Sequence, residues 1–269
     1  MKIRKYSILL VSVLLSLSVS AQGLKDEHKG VYRAYDFDAP RVDEPAPKGY
    51  EVFCLSHYGR HGSRFLYNEA EYDTLNVVLN RESLTATGEK VRDKFNENYP
   101  IFKGRAADLT ELGQKQHRLL ARRMMDDYPN LFRKGSEVYA FSSDRTRCMM
   151  SMYCFLDELR LCRNGLDIHA DYNSSYLKYL RAQHPEPFDM KAYLRDNFDP
   201  QSVFERLFTS PEKAMSSTDP WNFAQELYYY ASHLDGAGIK DDFWSNVLSD
   251  DEVKAIHRVE NEKFSYNRG

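Results

Sequence analysis

The chain lacks the marks of several function classes. No lysine- or arginine-rich tail breaks the balance of 37 Lys+Arg against 40 Asp+Glu, and the formal net charge is -3. That argues against a protein that coats nucleic acid. No Gly/Ser linker or low-complexity segment divides the sequence. The 4 cysteines contain no CxxC pair and the 8 histidines no HxH or HExxH pair, so no metal or cofactor is expected. Cys148, Cys154 and Cys162 share one helix-like stretch, where they cannot bridge one another, and all four thiols, Cys54 included, are expected to be free and buried. Aromatic side chains, by contrast, are plentiful. With 19 Tyr and 15 Phe in a chain that is 42% hydrophobic, there is ample material for a core, which excludes disorder and fits a soluble globular protein.

The first residues read as an address. Lys2, Arg4 and Lys5 precede an apolar run from Ile8 to Val19, and Val19-Ser20-Ala21 offers small residues for cleavage. Residues 1–21 are therefore expected to be a signal peptide; the run is too short to span comfortably, and polar residues follow at once. The protein is expected to be exported, periplasmic or secreted, with no membrane association after cleavage. Cleavage removes three positive charges and no acidic ones. An anionic substrate must then be drawn by a local cluster of cations rather than by the overall field.

Chain order suggests an α/β protein. Residues 22–49 form an arm rich in Pro, Asp and Lys. Tyr50 to Ser56 (YEVFCLS) and Glu137 to Ser142 (EVYAFS) are expected strands of one sheet whose carboxyl edges meet at a site. LTATG at 84–88 and LTELG at 109–113 are threonine-capped helix starts, and the second helix runs to Pro129. A third helix should bury Met149, Tyr153, Leu156 and Leu159. Residues 50–163 are assigned to an α/β core and 164–269 to a helical insert domain. In the latter, Asp219-Pro220 opens a helix with an apolar stripe of Phe223, Leu227, Tyr230, Ala231 and Leu234, stopped near Gly236. Ser249 to Glu252 is a capping box before a last helix carrying Val253, Ile256 and Val259.

The chemistry concentrates after the two expected strands. HYGRHGSR exposes His61 between Arg60 and Arg64. An imidazole held at one nitrogen can attack phosphorus with the other, forked guanidiniums can neutralise phosphate oxygens, and Gly62 lets backbone approach the anion. A solvated basic turn fits the same residues. SSDRTR, after the second strand, would bring a third guanidinium to the site; alternatively Asp144 caps the next helix and its arginines face water.

Taken together, RHGSR and SSDRTRCMMS in this order resemble the histidine acid phosphatase superfamily, in its acid phosphatase and phytase branch. The wording SSxRxRC and the export signal are most similar to bacterial multiple inositol polyphosphate phosphatases. The resemblance implies a phosphoglycerate-mutase-like core sheet flanked by helices, with an inserted helical domain. It also implies phosphomonoester hydrolysis, with a small-molecule partner such as phytate. It assigns His61 as nucleophile and Arg60, Arg64 and Arg147 as phosphate ligands, with Arg145 the alternative if that loop is shifted. Leu66 stands where many relatives have proline. Lys178, Arg181 and Lys191 are candidates for remote phosphates. The family's late HD or HAE proton-donor motif is absent, and His233-Leu234-Asp235 is only a faint imitation. On this reading the chain is the amino-terminal portion of such an enzyme, or a vestigial phosphate-binding fragment. Its last helix would then leave Val253, Ile256 and Val259 without the strands they should cover.

Overall fold

A computed structural model describes residues 24–38, 46–180, 186 and 188–268. The expected signal peptide and Arg181 lie outside the described residues. Three helices follow the histidine loop: α1 (Glu69–Arg81), α2 (Ala86–Phe102) and α3 (Glu111–Asp127). Their starts are chemically specified. Asn68 and Glu71 form a capping box on α1, while Thr85 and Thr110 accept hydrogen bonds from Gly88 and Gly113. β1 (Glu137–Ser142), α4 (Thr146–Cys162) and β2 (Asp167–Tyr172) then make one βαβ unit. The strands pair in parallel, from Glu137 opposite Asp167 to Ser142 opposite Tyr172, a geometry that needs a crossover such as α4.

Two expectations about the sheet fail. Tyr50 to Ser56 forms no strand and joins no ladder; Tyr50 is 77% and Phe53 90% exposed, and only Leu55 leans on a core. The partner of β1 is instead DIHADY, whose charged residues hide its strand character and which lies where only helix and loop were expected. Val138, Ala140 and Ile168 turn inward onto a small core of Ala121, Met125, Phe132, Leu156 and Leu159. Tyr139 and Phe141, on the other face, are exposed. On α4, Leu156 and Leu159 are buried as expected, but Tyr153 is 41% exposed; Ser151 and Cys154 take the inner face. Asp144 caps nothing, since Arg145 is the N-cap residue. Cys154 is buried, Cys148 half-buried, and Cys54 and Cys162 are exposed.

The rest is helical: α5 (Leu177–Leu180), α6 (Met190–Asn197), α7 (Gln201–Leu207), α8 (Pro211–Ser217), α9 (Pro220–His233) and α10 (Asp250–Arg268). The expected α9 stripe is buried throughout. The Ser249–Glu252 capping box forms, Glu252 taking the Ser249 amide at 2.7 Å and Ser249 Oγ the Glu252 amide at 3.3 Å. The main core draws on both sides of Asn164, from Phe65 and the α1–α2 pair to α7, α9 and α10. Val253, Ile256 and Val259, expected to lack cover, are at most 3% exposed, because they face this all-helical core rather than a sheet. Among the described residues no helix is long and apolar enough to cross a membrane.

Candidate active site

The loop carrying His61 lies across the amino end of α3, and two glycines permit the contact. A Cβ on Gly62 would stand 2.4 Å from the Gly113 carbonyl oxygen, and one on Gly113 would stand 2.2 Å from that of Ser63. Gly62 therefore serves contact with the helix, where the sequence suggested contact with an anion. Side chains from two helices then fix the loop. Ser151 Oγ accepts from the Gly62 amide at 3.1 Å, and Gln116 Oε1 from the Ser63 amide at 2.8 Å. Thr110 Oγ1 donates to the Ser63 carbonyl at 3.0 Å, and His117 hydrogen-bonds the Arg60 backbone. Sequence reasoning passed over Ser151, Gln116 and His117. Their signal was a polar residue on the buried face of an amphipathic helix.

His61 is half-buried, with Nδ1 2.9 Å from the Gly62 carbonyl oxygen. A carbonyl only accepts, so Nδ1 carries the proton and Nε2 keeps its lone pair. Burial is the main cause that lowers its pKa to about 3, and the positive charges of Arg60, Arg147 and Arg64 push the same way. The imidazole is thus neutral and nucleophilic at ordinary pH.

Those charges locate the three arginines around His61. Arg60 Nη1 donates to the Val31 carbonyl at 3.1 Å, and Arg64 Nη1 to that of Phe65 at 2.7 Å. The Tyr67 ring contacts the guanidiniums of both Arg64 and Arg147, with their central carbons 5.4 Å and 5.3 Å from its centroid. Both Arg64 Nε and Arg147 Nε are buried without a hydrogen-bond partner. Glu71 holds the backbone beside Tyr67, accepting from its amide at 2.8 Å. Arg145 is exposed at the N-cap of α4, so of the two arginines in that turn it is Arg147 that acts on His61.

A cleft of about 410 Å³ opens over this loop. Its walls are Val31 to Arg33 and Tyr35 of the arm, Gln116, His117 and Leu120 of α3, and His233 and Gly236 at the end of α9. Among the described residues no carboxylate lines it. Asp235 is ion-paired with Lys29, which also holds Asp26 at 2.7 Å, so its visible task is to fasten the arm. His233 is fully committed, with Nδ1 2.7 Å from the Tyr230 carbonyl and Nε2 3.1 Å from the Tyr72 hydroxyl, and burial lowers its pKa to about 4. Lys178 lies by the Tyr179 ring and Lys191 is exposed on α6; neither lines the cleft. Glu137, Asp167 and His169 bring three ligand-type atoms together at the amino end of the sheet, a grouping across two strands that no linear spacing reveals. All three are exposed, and His169 stacks on Tyr139.

With the histidine, its flanking arginines and the arginine of the second turn in place, the comparison with known proteins is direct. Residues 57–160 match the histidine phosphatase superfamily, branch 2. The resemblance carried by RHGSR and SSDRTRC holds at that level. The crystal structure of the phytase from D. castellii is similar with a TM-score of 0.55, at 11% identity, over 78% of this chain and 50% of that one. The likeness shows the fold, a mixed helix–sheet histidine phosphatase architecture, and the chain spans about half the length of that structure. No curated protein matches the chain.

Proposed function

We propose that the chain is a phosphatase that hydrolyses phosphomonoesters through a phosphohistidine on His61, with inositol polyphosphates such as phytate as the substrate class. The observation that carries the reading is the pair of buried, partnerless Nε donors of Arg64 and Arg147 beside a neutral His61. Buried donors normally find acceptors, and an anion at His61 supplies them. His61 Nε2 attacks phosphorus, the ester P–O bond breaks, and its electron pair leaves on the alkoxide oxygen, which takes a proton from solvent water. Arg60, Arg64 and Arg147 stabilise the charge on the nonbridging oxygens, and water then attacks the phosphohistidine, releasing phosphate and the free imidazole. No step requires a metal. Support for phytate comes from the matched superfamily and the phytase of similar fold. The export signal read in residues 1–21 supports a periplasmic or extracellular setting.

A second reading, a phosphate-binding module with little turnover, is favoured by one feature. No carboxylate among the described residues lines the cleft to protonate the leaving oxygen, and Asp235 is occupied by Lys29. Loss of a general acid costs about 10²–10⁴-fold. The two readings separate on leaving groups. p-Nitrophenolate leaves without much protonation and inositol alkoxides do not. Turnover of p-nitrophenyl phosphate with slow turnover of phytate marks a nucleophile without its acid. Comparable turnover of both marks a phytase-type enzyme with a donor outside the described cleft. Turnover of neither by folded protein overturns the phosphatase reading. Acid-labile phosphate on His61, trapped by rapid quench, tests the intermediate itself.

A further inference from the structure

The arm that reads as irregular in the sequence is firmly attached where it passes the site. The Leu24 amide donates to the Ser245 carbonyl at 2.8 Å, Lys29 pairs with Asp235, and the Tyr228 hydroxyl donates to the His28 carbonyl. Val31 receives the Arg60 bond at 3.1 Å. These fastenings set Tyr32 beside Arg64, whose guanidinium carbon is 5.4 Å from the Tyr32 ring centroid and 5.4 Å from that of Tyr67. The Arg64 charge also acts on the Tyr32 hydroxyl, opposing the upward shift that burial imposes on it. The Tyr32 ring has little room to turn, with Tyr229 at 5.6 Å and His233 at 6.3 Å between ring centroids. Arg64 is thus held by two aromatic rings, while its Nη1 is spent on Phe65 and its Nε has no acceptor.

We propose that Tyr32 is a positioning residue, which together with Tyr67 clamps the Arg64 guanidinium where it can bind a phosphoryl group at His61. An arginine side chain has several rotatable bonds, and fixing them before the anion arrives lowers the cost of binding. Tyr32 contributes through Arg64 and not by reaching the phosphate itself. This rests on the phosphatase reading and adds a residue to it from a segment outside the matched 57–160 region.

The test is a double-mutant cycle on the full chain, reading tungstate affinity by calorimetry, since tungstate mimics phosphate. Tyr32→Leu should weaken tungstate binding by about tenfold, of the order of one well-placed charged contact. Tyr32→Phe, which keeps the ring and loses the hydroxyl, should recover most of that loss. In an Arg64→Ala background Tyr32→Leu should change affinity by less than about twofold, because the residue it positions is gone. An equal loss from Tyr32→Leu with and without Arg64 overturns the proposal, as does unchanged affinity in Tyr32→Leu. If Tyr32→Leu does not fold, the same cycle with Tyr32→Met, which also removes the ring, decides, and additivity there overturns the proposal. A parent chain that binds no tungstate overturns both this inference and the phosphatase reading, whereas binding without coupling overturns this inference alone.

Discussion

At His61 the decisive quantity is which nitrogen holds the proton. Gly62 takes the Nδ1 hydrogen, and burial among three guanidiniums keeps the ring neutral down to about pH 3. His61→Ala should therefore abolish phosphoenzyme formation, checked by rapid-quench labelling. Between the two arginines of the second turn, Arg147 acts on His61 and Arg145 faces solvent. Arg147→Ala should lower kcat with p-nitrophenyl phosphate by about 10²–10³-fold, the cost of one lost donor to developing charge. Arg145→Ala should change it by less than about threefold, within ordinary surface effects. Equal losses in both variants would show that the turn had been assigned to the wrong arginine. The grouping of His61 with Arg60, Arg64 and Arg147 was legible because these residues stand in two short motifs. Tyr32, Tyr67 and Ser151 were not, because an aromatic wall or a loop anchor has no sequence signature until the fold brings it to the site.

Among elements, the helix starts were the most readable. A threonine followed three residues later by glycine sets a cap, and both LTxxG segments obey it. The second glycine has another duty, since Gly113 supports the loop of His61. Gly113→Ala would place a methyl 2.2 Å from a backbone oxygen, and backbone cannot swing aside. Catalytic activity or anion binding should fall at least tenfold while α3 itself, with its helix propensity improved, stays folded by circular dichroism. The strands were less legible. β-Pattern alone promoted Tyr50 to Ser56, an apolar run without a partner in the described fold, and overlooked β2, whose alternation is masked by Asp167, His169 and Asp171. Pairing is a long-range property, and a local window cannot supply it.

The buried titratable groups give the whole molecule opposing pH slopes. His61, His117 and His233 titrate near 3, 4 and 4 when folded, because burial disfavours their charged forms. The unfolded chain binds those protons near 6.5, so their contribution is present above that pH and is lost as pH falls toward 4. Glu226 is raised by burial to about 8, with Oε2 lacking a partner. Here the folded state holds the extra proton, so stability is lost as pH rises from about 4.5 to about 8. Above pH 6.5 the histidine contribution is flat, and the Tm should decline toward pH 8. Glu226→Gln should flatten that decline, measured by melting at pH 6.5 and 8; an unchanged slope would remove Glu226 as its cause. The closing helix belongs to the same core. Ile256 is fully buried, and Ile256→Ala should destabilise the protein by about 2–5 kcal/mol in urea unfolding. That burial was misjudged from sequence because the family order suggested strands above α10, whereas the helices cover it themselves.

The βαβ unit has one further consequence. Among the described residues β1 and β2 have only each other as neighbours, so each strand has one row of backbone amides and carbonyls without a ladder partner. Beside those rows stand the exposed rings of Tyr139, Phe141 and Tyr172. Such a ribbon is a template: an extended polypeptide of any origin can register against it, backbone to backbone, with aromatic faces to add adhesion. Concentrated solutions of this chain should thicken into assemblies through that border, and a lysine at Tyr139 or Phe141 should keep them clear.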